Sequence, residues 1–255
     1  MTDVNVYSVK GDKKGKVALP AVFATPLRPD LIRKAVSVAR ANRRQRYGVN
    51  PMAGKRHSTE SVGKGKGMSR VPRLAQGSAA ALAPSNVGGR RAHPPEARRR
   101  FEEKMNIKEN RLAIASALGA TASREAVTGR GHKLADGVTL PVVVEDAAAK
   151  VVKTQDALEL LDKLGLGADI ARARDGRTER SGMAKLRGRR YKTPKSVLIV
   201  TADKAAGIRG FSNIPGVDVI TAREISAEAL APGGDPGRLV VFTESALKAL
   251  GGGKK

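Results

Sequence analysis

The residues of this sequence that could do chemistry are cations. Between Arg43 and Arg100 stand 14 of them: Arg43, Arg44, Arg46, Lys55, Arg56, Lys64, Lys66, Arg70, Arg73, Arg90, Arg91, Arg98, Arg99 and Arg100. Only Glu60 and Glu96 oppose them, so this stretch carries +12, half of the chain's formal +24. A second run, Arg172 to Lys195, sets 10 Lys and Arg against Asp175 and Glu179, a further +8 that includes Arg187, Arg189, Arg190, Lys192 and Lys195. The remaining residues are close to neutral. Guanidinium and ammonium groups at this density, interleaved with Gly, Pro and Ser rather than set on one helical face, suit phosphate binding.

Other chemistries are weaker. GKGKG at 63–67 has the residue types of a phosphate loop but not the pattern. A P-loop needs G-x-x-x-x-G-K-[ST] between a strand and a helix, so that backbone N–H groups converge on the phosphates. Here neither element is expected alongside, and Met68 follows where Lys or Thr is required. The segment reads as a flexible basic turn whose glycines let backbone pass close to another surface while Lys64 and Lys66 meet phosphates. His57, His93 and His132 are far apart and lack carboxylate companions, so no metal site and no Ser/His/Asp arrangement is expected. Cysteine is absent, which excludes disulfides, thiolate zinc sites and cysteine nucleophiles and suits a reducing cytosol. No cofactor is expected.

Charge bears on partners rather than fold. A pI near 10.9 favours polyanions, nucleic acid first and an anionic membrane surface second. No apolar run approaches the ~18–20 residues of a spanning helix, and the basic stretch lacks the period of an interfacial one. The opening MTDVNVYSVK has no signal-peptide apolar core. With four Phe, three Tyr and no Trp, base stacking on aromatic platforms is not expected to dominate. Charge and shape contacts to structured RNA fit better.

The elements that must position these cations are those of an α/β protein. Val4–Val9 alternates, turns at Gly-Asp-Lys-Lys-Gly and resumes at Lys16–Leu19, which predicts a hairpin or two edge strands. A helix starts at Pro29-Asp30, with Leu31, Ile32, Ala35, Val36 and Ala39 on one face. Arg43–Arg100 has no period of 2 or 3.6 and reads as neither helix nor strand. Connections that long are functional or disordered. Ordering it at ~1–2 kcal/mol per residue needs a large polyanionic partner, because its own apolar residues are too few. A capping box at Asn106-Ile107-Lys108-Glu109 then opens a helix that ends near Gly119. The two helices flank the basic stretch like posts, so it is expected to leave and return at one place.

Beyond them, LPVVV at 140–144, Val197–Val200, Val217–Ile220 and Leu239–Phe242 predict buried strands. Helices alternate with them: Thr154–Leu164 with Thr154 as N-cap and Leu158, Leu161 and Leu164 as its stripe, Ile225–Leu230 opened by a capping box at Thr221–Glu224, and a last one capped by Thr243. The GGGKK end is expected to fray. This pattern predicts a mostly parallel sheet covered on both faces. The domain layout expected is 1–42 with 101–255 as one discontinuous α/β domain, 43–100 as a long extended loop, and 172–195 as a second basic insertion.

The chain resembles, end to end, the archaeal form of the universal large ribosomal subunit protein four family. TPLRPDLI at 25–32, GKGKGMSRVPRL at 63–74, GGRRAHPP at 88–95, GRGH at 129–132, PVVVED at 141–146, VKTQDALELL at 152–161, GRRYKTPKSVLIVT at 188–201 and LAPGGDPGRLVVFTESAL at 230–247 carry the resemblance. It implies a three-layer α/β/α domain, a cytoplasmic ribosomal location, no catalysis, and neighbouring ribosomal proteins and large-subunit rRNA as partners. It also implies that the loop threads rRNA to the polypeptide exit tunnel, supports assembly, and brings a nascent chain within reach of its tip. The tip corresponds to Gly63, Lys64, Gly65, Lys66, Gly67, Met68, Ser69, Arg70, Val71, Pro72, Arg73 and Leu74. The remaining basic residues named above line the two arms and form a second rRNA contact. Two rivals stand beside this reading. A nucleotide-dependent enzyme needs a Gly-rich turn directly after a parallel strand, and none follows Val144, Val200, Ile220 or Phe242. A general RNA chaperone would bind random duplex DNA and rRNA fragments alike.

Overall fold

Runs of valine and leucine make the sheet, and the helices between them cover it. The computed structural model describes residues 3–203 and 208–251; residues 252–255 of the tail expected to fray lie outside these. In chain order the first elements are β1 (Asp3–Tyr7), β2 (Lys13–Ala18), α1 (Pro29–Arg43), β3 (Thr59–Ser61), β4 (Pro72–Leu74), α2 (Ile107–Ala122) and α3 (Arg124–Gly129). There follow β5 (Val142–Val144), α4 (Thr154–Lys163), α5 (Gly167–Asp175), β6 (Thr178–Glu179), α6 (Met183–Leu186) and β7 (Tyr191–Lys192). The last are β8 (Leu198–Thr201), α7 (Ile208–Ser212), β9 (Asp218–Thr221), α8 (Ala227–Leu230), β10 (Val240–Thr243) and α9 (Glu244–Gly251). The chain divides into two units, Met1–Ala39 with Lys104–Lys255, and Arg40–Glu103.

In the first unit six strands form one sheet in the order β2-β1-β5-β10-β8-β9, parallel except for the β1/β2 hairpin. Successive side chains of a strand point to opposite faces. Val143, Leu198, Val200, Val240 and Phe242 therefore pack with Ile32 and Val36 of α1, Ala113 and Ala117 of α2, Leu230 of α8 and Leu247 of α9. Val142, Val144, Ile199 and Val241 pack on the other face with Leu160 and Leu161 of α4, Ile170 of α5 and Phe211 of α7. Both faces are thus buried, which is why these strands read as unbroken apolar runs and why the architecture has three layers. Phe23 meets Phe242 edge-on, with centroids 5.7 Å apart. The edge strands are β2 and β9; Lys13, Lys14 and Lys16 of β2 are exposed and discourage pairing with another chain.

Three helix expectations need correction. Asn106 does cap α2, its Oδ1 accepting from Lys108 N at 3.0 Å. Glu109, however, does not close a capping box; it pairs with Lys34 at 2.8 Å. The helix also runs through Gly119 to Ala122. That glycine is a contact site rather than a stop: a Cβ there would lie 2.6 Å from the carbonyl oxygen of Thr25. In α4 the buried residues are Ala157, Leu160 and Leu161, while Leu158 faces solvent and Thr154 is the first helical residue rather than the cap. Thr221 and Glu224 do form a capping box, but it closes only a 3-10 turn, Ala222–Glu224. Ile225 is extended, and Ser226 starts α8 afresh by accepting from Ala229 N at 3.3 Å.

The base of the second basic run rests on a buried polar network that spacing did not reveal. Asp169, fully buried on α5, accepts from Ser196 Oγ at 2.6 Å, Arg172 Nε at 2.8 Å and Lys133 N at 3.1 Å. His132 Nδ1 lies 3.0 Å from the same carboxylate, so this histidine has the carboxylate companion that sequence proximity denied it. Arg172 also donates to the Lys195 carbonyl at 2.9 Å. Next to it the buried Arg238 donates to Ser196 O at 3.0 Å, Ala229 O at 2.8 Å and Asp218 Oδ2 at 2.6 Å, while Lys195 Nζ takes the other Asp218 oxygen at 2.8 Å. Burial pushes the Asp169 carboxyl up, but hydrogen bonds from His132, Arg172 and Ser196 outweigh it and hold the group well below the usual carboxylate range.

Asp169→Asn should cost roughly 3 kcal/mol in chemical denaturation of the full chain, the low end for a broken buried pair because Arg172 keeps partial access to water. A carboxyl depressed in the folded state contributes fully above its unfolded pKa of about 3.9 and progressively less as the pH falls below it. The gap between wild type and variant should therefore be constant near neutrality and shrink in acid. A gap independent of pH down to acid unfolding would contradict this assignment. On α4, Leu161→Ala should cost about 2–5 kcal/mol, and Leu158→Ala no more than about 0.5 kcal/mol; equal losses would restore the stripe expected from spacing.

Candidate nucleic-acid interface

Unit Arg40–Glu103 is two arms joined by a tip. At their base, Glu103 N donates to Asn42 Oδ1 at 2.9 Å and Arg46 pairs with Glu102 at 2.6 Å. Tyr47 and Phe101 stack at 6.2 Å with an 11° interplanar angle. The Arg44 and Arg99 guanidiniums lie 4.4 Å and 5.3 Å over Phe101. One step further, Val49 N donates to Pro95 O at 3.0 Å. Outgoing and returning chain therefore run side by side, as the flanking helices led one to expect.

The tip corrects the expectation of no strand. β3 and β4 pair antiparallel, with Thr59 opposite Leu74, Glu60 opposite Arg73 and Ser61 opposite Pro72. Segment 79–81 lies along β4, through Leu74 N to Ala79 O at 3.0 Å and Ala81 N to Pro72 O at 2.9 Å. Three-residue strands are too short for a readable alternation. Between them Gly63, Gly65 and Gly67 have φ of 72°, 80° and 65°, with open space where a Cβ would stand. Alternate left-handed glycines turn the backbone in a way side chains rarely allow, and they present Lys64 and Lys66 on an exposed turn. Met68, Ser69 and Arg70 are also exposed.

The expected phosphate contacts fall into two groups. Arg43 closes α1, Arg44, Arg46 and Arg99 hold the base, and Arg73 folds back, donating to Ser78 O and to Ser69 Oγ at 3.1 Å. Lys55, Arg56, Lys64, Lys66, Arg70, Arg90, Arg91, Arg98 and Arg100 are charged side chains with no partner among the described residues. The second basic run divides the same way. β6 and β7 pair antiparallel, Glu179 opposite Tyr191, with α6 between them. Glu179 takes Lys185 at 2.7 Å and Arg190 at 3.0 Å, and Lys195 is held by Asp218. The Arg187, Arg189 and Lys192 side chains have no partner among the described residues.

Composition also hid the aromatic residues of these runs. Tyr7, Phe23, Phe211 and Phe242 are buried in the sheet unit. The other three, Tyr47, Phe101 and Tyr191, stand in or directly beside the basic runs, each under an arginine; Arg177 lies 4.0 Å over Tyr191. The readable signal was their position in or beside the charge runs, not their number. Among the described residues no His, Cys, Asp and Glu come together in a metal-binding group, and no helix is long and apolar enough to cross a membrane. What the arrangement offers is a set of mostly exposed, unpaired cations on two short hairpins and the irregular arms beside one of them, which is a surface able to bind phosphate.

The model of the ribosomal protein L4/L1 family matches residues 17–253. The chain is 48% identical to large ribosomal subunit protein uL4 of Halobacterium salinarum over 97% of this chain and 98% of that protein. It is 46% identical to the uL4 protein of Haloquadratum walsbyi over the same shares, and 46% identical to that of Methanococcoides burtonii over 99% of each. Since the family model takes in both basic runs and every strand from β3 onward, the chain belongs to the ribosomal protein L4/L1 family, a family of ribosomal structural proteins and not of enzymes.

Proposed function

We propose that the protein is a structural constituent of the large ribosomal subunit in the cytoplasm, binding large-subunit rRNA without catalysis. The observation that carries this is a contrast between the units. Within residues 40–103 Ala81 is the one buried apolar residue, while cations without partners crowd the surface. Such a unit cannot offset its own ordering entropy; phosphate must neutralise and order it. The sheet unit is the anchor, 43–100 the rRNA-penetrating loop and 172–195 a second rRNA contact. By the family resemblance, the tip Gly63–Leu74 reaches the polypeptide exit tunnel and helps form its constriction, with a nascent chain passing it. Neighbouring ribosomal proteins and support of subunit assembly follow from the same resemblance.

Sedimentation of the tagged chain through a high-salt sucrose gradient should show it travelling stoichiometrically with large subunits and resisting stripping. Recovery at the top of the gradient would refute threading. Binding of the free chain to rRNA fragments should fall steeply with salt, and Arg187→Ala or Arg189→Ala should each flatten the log–log slope by about 0.7–0.9. Arg190→Ala should change it less, because Glu179 already offsets that charge. Equal effects at all three positions would count against sorting the cations by their partners.

A further inference from the structure

Between base and tip, the arms of unit 40–103 separate around a cavity. It is bounded by residues 49–55 and 88–98 and has a volume of about 690 Å³, within the range of pockets that hold small molecules. Close backbone approaches pinch it at both ends. A Cβ on Gly48 would lie 2.3 Å from Ala97 N, and one on Gly54, whose φ is +72°, would lie 2.6 Å from Arg90 Cα. Neither site admits a side chain without moving backbone. The opening between them is therefore a ring with two closed joints, not a gap between loosely laid arms.

The wall has two kinds of surface. Val49, Pro51, Ala53, Pro94 and Pro95 are apolar and mostly rigid. Lys55, Arg90, Arg91 and Arg98 supply charge, against Glu96 alone. None of these four cations has a partner among the described residues, whereas the arginines at the base of the arms are held by Glu102 and Phe101. An occupant must thus be anionic and also carry an apolar face.

We propose that this cavity seats one unpaired nucleotide of rRNA, its base against the valine and proline wall and its phosphates on Lys55, Arg90, Arg91 and Arg98. Unpaired nucleotides are the form in which RNA exposes a base face to protein, whereas a base pair within a helix is stacked on both sides and offers none to the valine and proline wall. An acidic peptide would match the charge but leave the apolar wall uncovered. The proposal rests on the rRNA-binding reading above and adds a site and a ligand form to it.

The chain lacks cysteine, so one introduced thiol is a unique handle. Ala92→Cys, in the cavity wall, and Val87→Cys, fully exposed and outside it, are each expressed as the full chain, labelled on their single thiol with an azidophenacyl photo-crosslinker, and then assembled into large subunits. Crosslinked rRNA positions are read by primer extension. From Ala92→Cys a single nucleotide, or two in succession, should be found, unpaired and distinct from those reached from Val87→Cys. That base should resist single-strand-specific base probes in wild-type subunits and become several-fold more reactive in subunits carrying Ala53→Trp, which fills the cavity; Ala53→Leu serves the same comparison should the larger residue fail to assemble. Crosslinks to paired nucleotides, crosslinks to protein alone, or unchanged reactivity in the filled variants would overturn the cavity assignment while leaving rRNA binding intact. Absence of the wild-type chain from large subunits would overturn both.

Discussion

Burying a cation without a partner costs several kcal/mol, and this chain carries 48 Lys and Arg against 24 Asp and Glu. The surplus cannot enter a core. Its layout follows from that constraint. The six-stranded sheet is lined on both faces by Val, Leu, Ile, Ala and Phe, and the excess charge is placed where the backbone has little or nothing to bury. Among the described residues, Arg238 and partly Arg172 go inside and meet the carboxylates of Asp218 and Asp169, while the half-buried Arg130 donates to the Pro232 carbonyl at 2.6 Å. Charge segregation is thus the condition under which so basic a chain can fold at all.

The two basic segments meet this condition differently. The 172–195 run is short, paired through β6 and β7, and fastened at both ends by Asp169, Ser196 and Asp218 to the sheet unit. Its geometry is set by the fold. Residues 40–103 have a rigid base, where Arg44, Tyr47, Arg99 and Phe101 layer together, and a braced tip, where Arg73 ties β4 to Ser69 and Ser78. In between, glycines bring the arms into contact at Gly48 and Gly54 and let them part around an open, cation-lined cavity. Arginine plays opposite roles along this unit: stacked or ion-paired it is a strut, unpaired it leaves a guanidinium with the geometry to bind phosphate bidentately.

Family membership and local physics agree because they describe the same separation. A sheet domain of ordinary composition folds on its own apolar residues, while segments too charged and too poor in apolar residues to do so are the ones a polyanion would stabilise most. The aromatic residues refine this. Three of seven escaped the core, and all three lie under arginines, where they stiffen the basic segments with contacts worth ~0.5–1 kcal/mol each at exposed sites.

Much was legible in the residues alone. Unbroken apolar runs such as VVV and LIV announce strands buried on both faces, because only such strands need no polar side. The charge runs announce the segments that stay out of the core, since an unpaired charge cannot be buried. The hairpin at the start, α1, the parallel sheet and the two cation clusters follow from these local rules. Only the tertiary structure decided what depends on partners distant in sequence. His132 and Asp169 stand 37 residues apart, so no spacing argument could join them. Gly119 marked a helix stop by local propensity, and the close approach of Thr25 made it a helix interior. Leu158 fitted a helical stripe, but the sheet lies on the side of Ala157 and Leu161. Which arginines are struts and which remain open to phosphate was likewise undetermined by residue type, because a cation's role is set by whether a carboxylate or an aromatic ring folds within reach of it.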